Sequence, residues 1–218
     1  MYEVQLPATL LTISEDAFAG CSRLSSINLP PTLTKIGVRA FSSCSALKSI
    51  NLPESLLIID SSAFSNSRFS ELAIPGNVKQ IGANAFYQSW DLVTLHLGAS
   101  LTEIGSEAFR LCSKLKTVYS DAVTPPTLGW NVFDWIDKEA ILWVPTGCKD
   151  AYAASEWSQY FNNIQEGVEN GINDVISNGS SDITEYYELN GRRLSKAPDF
   201  PGFYILKRGN NRVKLRVN

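Results

Sequence analysis

A single histidine, four cysteines and no long apolar run set the first limits on this 218-residue chain. One histidine excludes a multi-histidine metal site and leaves little room for imidazole acid–base catalysis. Four cysteines are too sparse for a disulfide scaffold. No apolar stretch reaches the ~18 residues that a membrane-spanning helix needs. Paired Cys-x-x-Cys motifs, phosphate-cradling glycine loops and a Gly-x-Ser-x-Gly nucleophile elbow are all missing. The 44% hydrophobic and 19% charged composition nevertheless describes a folded chain, long enough to bury a core.

The formal charge of -3 conceals a division. Up to Gly191 there are 11 basic and 21 acidic residues, and from Arg192 onward 8 basic and 1 acidic, so an acidic body of -10 carries a basic end of +7. The basic side chains are Arg192, Arg193, Lys196, Lys207, Arg208, Arg212, Lys214 and Arg216. A field of this kind acts on partners rather than on fold, as an attachment or addressing element. The plainer reading is a small sheet with solvated faces. Nucleic acid is not the expected partner, because the basic end lacks a binding motif and the body repels phosphate.

What the chain has in abundance is a repeat. Ala-Phe recurs as Ala17-Phe18, Ala40-Phe41, Ala63-Phe64, Ala85-Phe86 and Ala108-Phe109, at steps of 23, 23, 22 and 23. The second copy shows the whole template: Leu33, Ile36, Ala40-Phe41, Cys44, Leu47, Ile50, Leu52, Pro53. The first matches with Leu10, Ile13, Cys21, Leu24, Ile27, Leu29 and Pro30 around its Ala-Phe pair, and the fifth holds through Val118. The alternation at the end of each copy predicts a short strand with residues such as Ile27 and Leu29 turned inward. Proline, or Gly98 in the fourth copy, stops it. Ser14-Glu15-Asp16 and Ser106-Glu107 before Ala-Phe are helix-start residues and predict one helical turn. No copy buries its apolar face alone, so the copies must stack. The expected fold class is α/β, rich in β: a right-handed solenoid of about five 22–23-residue repeats over 1–120, with rungs ~4.8 Å apart.

Template and period resemble the BspA-type leucine-rich repeat family, with Ile36-Gly37, Ile81-Gly82 and Ile104-Gly105 as the closest matches. Ile13-Ser14 and Ile59-Asp60 lack the glycine. The resemblance covers roughly residues 4–120. It implies secreted or surface-attached proteins of bacteria and some protozoa that bind host or neighbouring-cell macromolecules, without enzyme activity or cofactor.

Residues 121–167 read as a degenerate repeat and cap. Val144-Pro145 resembles a sixth strand end, and Trp130, Phe133, Trp135, Tyr152, Trp157, Tyr160 and Phe161 crowd the segment. They suit either an aromatic ligand platform or, as expected here, a plug closing the solenoid, with Tyr152 to Ile164 as an amphipathic capping helix. Residues 168–181 read as a linker, and 182–218 as a small basic antiparallel sheet turning at Asn190-Gly191. Tyr187 to Arg193 and Gly202 to Ile205 resemble the end of Bacteroidetes-type C-terminal sorting domains, over some 35 residues. Met1 falls mid-rung, with Val4, Leu6 and Pro7 already in phase. The expectation is a native chain extending upstream, or end-to-end self-association through that rung.

The lone His96 falls outward on the fourth strand, between inward Leu95 and Leu97, and reads as a solvated side chain. Cys21 and Cys44 share a phase on neighbouring rungs, close enough for a disulfide. Ser67 and Ser89 occupy that phase too, so free, buried, small core residues are expected. Pairs such as Asp134 and Asp137 read as a solvated loop, and an outward wall of Ser, Asn and Lys offers no glycosidase carboxylate pair.

Aligned outward positions run Gln5, Asn28, Asn51, Ala73, His96, Tyr119, Trp143, and two residues earlier Glu3, Ser26, Ser49, Glu71, Thr94, Thr117, Ile141. His96, Tyr119 and Trp143, flanked by Thr94 and Thr117, therefore stack on successive rungs. Aromatic rings beside hydroxyls suit recognition hot spots and sugar faces, and the plainer reading is that the tail or cap helix covers them. The expected function is a non-catalytic interaction module binding a protein or glycan through this face. A structural spacer is the alternative, and a carbohydrate-active enzyme a distant third. No catalytic or metal residue is expected.

Overall fold

The computed structural model describes residues 2–167 and, beyond them, the backbone of strands Glu185–Glu188, Arg193–Leu194, Gly202–Arg208 and Asn211–Val217. The sequence-expected linker 168–181 and the Asn190-Gly191 turn lie outside the described residues. Contacts divide the chain into two compact units, Met1–Gly167 and Val168–Asn218. In the second unit the four strands form one antiparallel sheet, with Gly202–Arg208 between Glu185–Glu188 and Asn211–Val217.

The first unit is a solenoid of stacked parallel strands. One wall is a six-stranded sheet of two-residue strands, running in chain order from Thr12–Ile13 through Lys35–Ile36, Ile58–Ile59, Gln80–Ile81 and Glu103–Ile104 to Thr127–Leu128. The first five end in an isoleucine buried to 3% exposure or less. A second wall carries the longer strands: Glu71–Ala73, Thr94–Leu97, Thr117–Ser120, Ile141–Val144 and Asn163–Glu166, again in chain order. Tyr2–Gln5 and Leu24–Asn28 pair separately. Ser49 to Leu52 form no regular strand, so this wall is interrupted at the second rung. The break lies beside the one 22-residue step. The missing residue falls between Ser67 and Phe69, and Phe69 sits edge-on to Phe64 (5.7 Å, 64°) where Leu24 and Leu47 stand in earlier rungs.

The third wall corrects the expected helical turn. Its residues form turns in which two positions per rung are left-handed, Asp16 and Gly20 in the first, Arg39 and Ser43 in the second, Asn131 and Trp135 in the sixth. Alternate amides then point along the stack. Asp16, Phe18 and Gly20 donate to the carbonyls of Val38, Ala40 and Ser42 at 2.9, 2.8 and 2.8 Å. Glu107, Phe109 and Leu111 do the same to Trp130, Val132 and Asp134. A helical turn directs its amides back along its own axis and leaves nothing for the next rung. The repeat instead satisfies half of them between rungs and the rest within the turn.

Between the walls runs a single column of phenylalanines. Phe18, Phe41, Phe64, Phe86, Phe109 and Phe133 stack at 5.1 to 5.4 Å with planes within 7° of parallel. Each contact adds roughly 0.5–1.5 kcal/mol beyond the area it buries. Phe133 shows that residues 127–144 build a sixth complete rung, with Val132 in place of alanine.

The segment expected as one helix over Tyr152 to Ile164 is divided. A five-residue helix, Lys149–Ala153, is followed by a 3-10 turn, Glu156–Gln159, and then by Asn163–Glu166, which joins the longer-strand wall beside Ile141–Val144. Ser155 breaks the helix by turning extended and accepting from the Trp157 amide at 3.4 Å. Trp157 and Phe161 pack on Phe133 at 5.4 and 5.1 Å and cover the end of the column. Their neighbour Tyr152 is buried with its hydroxyl on the Ala122 carbonyl (2.8 Å), and the Trp157 indole N–H donates to Pro126 (2.9 Å). Both buried polar handles are thereby satisfied.

Candidate functional site

The longer-strand wall holds its outward residues in register. Ala73 faces His96, His96 faces Tyr119, Tyr119 faces Trp143, and Trp143 faces Gln165. The two-residue side-chain period of a strand keeps all of them on one face. His96 and Tyr119 lie parallel at 4.5 Å and 3°, and Tyr119 and Trp143 follow at 6.5 Å and 14°. The row beside them is Glu71, Thr94, Thr117, Ile141 and Asn163, also in register, with Thr94 and Thr117 half-buried. The five residues singled out from the sequence therefore occupy one continuous surface.

The solvated His96 expected from the sequence is corrected: its residue exposure is only 6%. The Tyr119 ring covers one face, and the Glu71 carboxylate approaches Nε2 at 3.5 Å. Tyr119 and Trp143 are half-buried. Burial, reinforced by the Glu71 charge, pushes the Tyr119 hydroxyl pKa up and keeps it neutral. Glu71, two residues before Ala73, stands in the aligned outward row but was not singled out from the sequence; its carboxylate is the neighbour that the structure adds to His96.

The cap aromatics divide into two sets. Phe133, Tyr152, Trp157 and Phe161 are interior, as the plug reading expects, whereas Trp130 and Trp135 stand 68% and 69% exposed on the turn wall.

The cysteine phase is a column of small side chains. All four cysteines are free, Cys21 exposed and Cys44, Cys112 and Cys148 buried. Cys44 Sγ donates to the Phe18 carbonyl at 3.1 Å, and Ser67 and Ser89 hydrogen-bond each other at 2.7 Å in the same column. Burial pushes the Cys44 thiol to about 11 and the Cys112 thiol to about 12.

Carboxylates are tied across rungs to bases rather than paired with each other. Asp16 and Glu15 bind Arg39, Asp60 binds Lys35, and Asp91 binds both Arg68 and Lys114. Hydrogen bonding to Arg39 lowers the Asp16 pKa, and hydrogen bonding to Lys114 lowers that of Asp91. A glycosidase acid needs the opposite shift. No cluster of three or more metal-ligating side chains occurs among the described residues, and no described helix is long and apolar enough to cross a membrane.

The repeat, its rung geometry and its phenylalanine column agree with a comparison against protein families: residues 1–116 match the BspA type leucine rich repeat region, in six copies. The chain belongs to the BspA-type leucine-rich repeat family. Among solved structures, this BspA-type chain is similar to the leucine rich repeat protein of T. pallidum, with 25% identity, a TM-score of 0.51, and coverage of 71% of this chain and 85% of that one. It is also similar to the pneumococcal vaccine antigen PcpA, with 22% identity and a TM-score of 0.57 over 77% of this chain. It spans 41% of that antigen's chain, and the likeness is one of fold. No curated protein matches the sequence.

Proposed function

We propose that this BspA-type chain is a non-catalytic interaction module, secreted or held at a cell surface, that binds a host or neighbouring-cell protein or glycan through the longer-strand wall. The observation that carries the reading is the ring stack: His96, Tyr119 and Trp143 in parallel register, with Thr94 and Thr117 alongside. Their order is preset by the backbone ladder, so binding there orders few side chains and loses little entropy. Within the stack His96 is buried, and the half-buried Glu71 carboxylate lies 3.5 Å from its Nε2. Tyr119, Trp143 and the two threonines supply the contact surface.

The basic 182–218 segment, with its resemblance to sorting domains, serves in this reading to direct or attach the module. The first rung, around Val4 and Phe18, is a surface for end-to-end association of copies.

The test is a binding screen on immobilised matrix proteins and polysaccharides, comparing the native chain with His96→Ala/Tyr119→Ala/Trp143→Ala at matched melting temperature. The reading expects a ligand held by the first and lost by the second. Equal binding by both contradicts it. No binding by either favours the spacer.

A further inference from the structure

The turn wall of the sixth rung differs from every other turn in what it exposes. The position three residues before the column phenylalanine is Glu15, Val38, Ser61, Ala83 and Ser106 in the first five rungs, and Trp130 in the sixth. The position two residues after it is Gly20, Ser43, Asn66, Gln88 and Leu111, then Trp135. Neither tryptophan is needed to close the stack, which Trp157 and Phe161 cover from inside. Both are about two-thirds exposed. Trp135 also holds φ at 63°, a left-handed conformation that disfavours a bulky side chain. Glycine, serine and asparagine take that position at lower cost in earlier rungs.

The turn that carries them is fixed on its N-terminal side. The carbonyls of Trp130, Val132 and Asp134 accept amides from Glu107, Phe109 and Leu111 at 2.8, 3.0 and 2.9 Å, and the Trp130 amide donates to Ser106 Oγ at 3.1 Å. Phe133, between the two rings, is locked into the core. Two large flat side chains thus project from one rigid turn. Asn131 and Asp134 lie between them in sequence, both half-buried.

We propose that Trp130 and Trp135 form a carbohydrate-binding platform on the turn wall, taking the apolar faces of pyranose rings in a polysaccharide. The chemistry is that of separated rings. A protein partner is matched by a contiguous apolar centre with a polar rim. Here two exposed indoles are separated along the turn by the half-buried Asn131 and Asp134, which fits a chain of sugars that alternates C–H faces with hydroxyls. Indole N–H groups add donors at the plate edges. The platform is on a different wall from the His96–Tyr119–Trp143 stack and stands independently of it.

The test is native affinity electrophoresis of the full chain in gels containing mixed-linkage β-glucan, xylan or galactomannan, with sedimentation on insoluble chitin and peptidoglycan. Trp130→Ala/Trp135→Ala and Tyr119→Ala/Trp143→Ala are run beside the native protein. The expected result is retention by at least one of these polysaccharides, at least tenfold weaker in Trp130→Ala/Trp135→Ala than in the native chain. Because Trp130 and Trp135 are exposed, circular dichroism and melting temperature of the first variant should match the native chain. Retention that survives the first variant overturns the proposal, as does absence of retention on all five materials. Retention lost only in Tyr119→Ala/Trp143→Ala overturns it and supports the other wall. Loss of binding to an immobilised matrix protein in the first variant, with no polysaccharide retained, overturns the sugar assignment.

Discussion

His96 and Tyr119 lie face to face, 4.5 Å between ring centroids and 3° between planes, on strands joined by a parallel ladder. Strand spacing of ~4.8 Å places like positions on neighbouring rungs at stacking distance. The same rule builds the phenylalanine column inside and the ring stack outside. They differ in the side of the strand wall they occupy: the phenylalanines face the core, and the ring stack faces outward.

Removing an interior ring should be costly in proportion to its neighbours. Phe86 is fully buried and stacked on both sides, so Phe86→Ala should cost about 3–5 kcal/mol. Phe18 is only half-buried and stacks on Phe41 alone among the described residues, so Phe18→Ala should cost less than half as much. Urea denaturation of the two variants checks the order.

Thiol reactivity should follow burial. At pH 8 the native chain should react with a thiol reagent first at Cys21, which is exposed. Cys44 and Cys112 should resist until unfolding, because thiols near 11 and 12 hold only about a thousandth or less as thiolate. Mass spectrometry of the labelled peptides reads the sequence of modification, and early labelling of Cys112 would contradict the structure.

Acid should weaken the inter-rung ion pairs. Hydrogen bonding to Lys114, against the smaller opposing effect of burial and with help from Arg68, holds the Asp91 carboxyl below its ordinary value. A depressed folded pKa contributes stability that is present above about pH 4 and is lost as pH falls through the folded value. The pair is about one-third exposed on the aspartate side, so the effect should stay under about 1 kcal/mol. Asp91→Asn should flatten that part of the acid denaturation profile, and high salt should do likewise.

Close approach of rungs should make one glycine sensitive. A Cβ at Gly105 meets the Ala83 amide nitrogen at 2.5 Å and the Gly82 carbonyl carbon at 2.7 Å. Gly105→Ala must push two backbones apart and should lose roughly 1–3 kcal/mol. Gly147→Ala, with open space around its Cβ, should disturb no packing, although its φ of 82° still penalises a side chain. Melting temperatures of both variants test the distinction.

Much of the solenoid was legible because its chemistry repeats. The Ala-Phe pairs at steps of 22 and 23 gave rung, column and strand phase, and the phase gave the stacking of His96, Tyr119 and Trp143. The sixth rung was legible only at its strand end, Val144-Pro145, because Val132 replaces alanine and Thr124-Pro125-Pro126 stretches the step to Phe133. The turn wall was misread because Ser, Glu and Asp before an apolar pair are also helix-start residues. Left-handed alternation has no sequence mark once Arg39, Leu111 and Trp135 adopt it. His96 stacks on Tyr119 and lies 3.5 Å from Glu71, and a single-strand pattern records neither contact. The exposure of Trp130 and Trp135 was hidden by composition, which counted all cap aromatics as one set.

The central claim is that the outward ring stack is a recognition surface rather than extra packing. The direct measurement is the affinity, by surface plasmon resonance, of the ligand selected in the screen for the native chain, for Tyr119→Ala/Trp143→Ala and for Asn28→Ala/Asn51→Ala on the earlier rungs of the same wall. The account predicts at least tenfold weaker binding for the ring variant at an unchanged fold, and native affinity for the asparagine variant. Native affinity in the ring variant would contradict it.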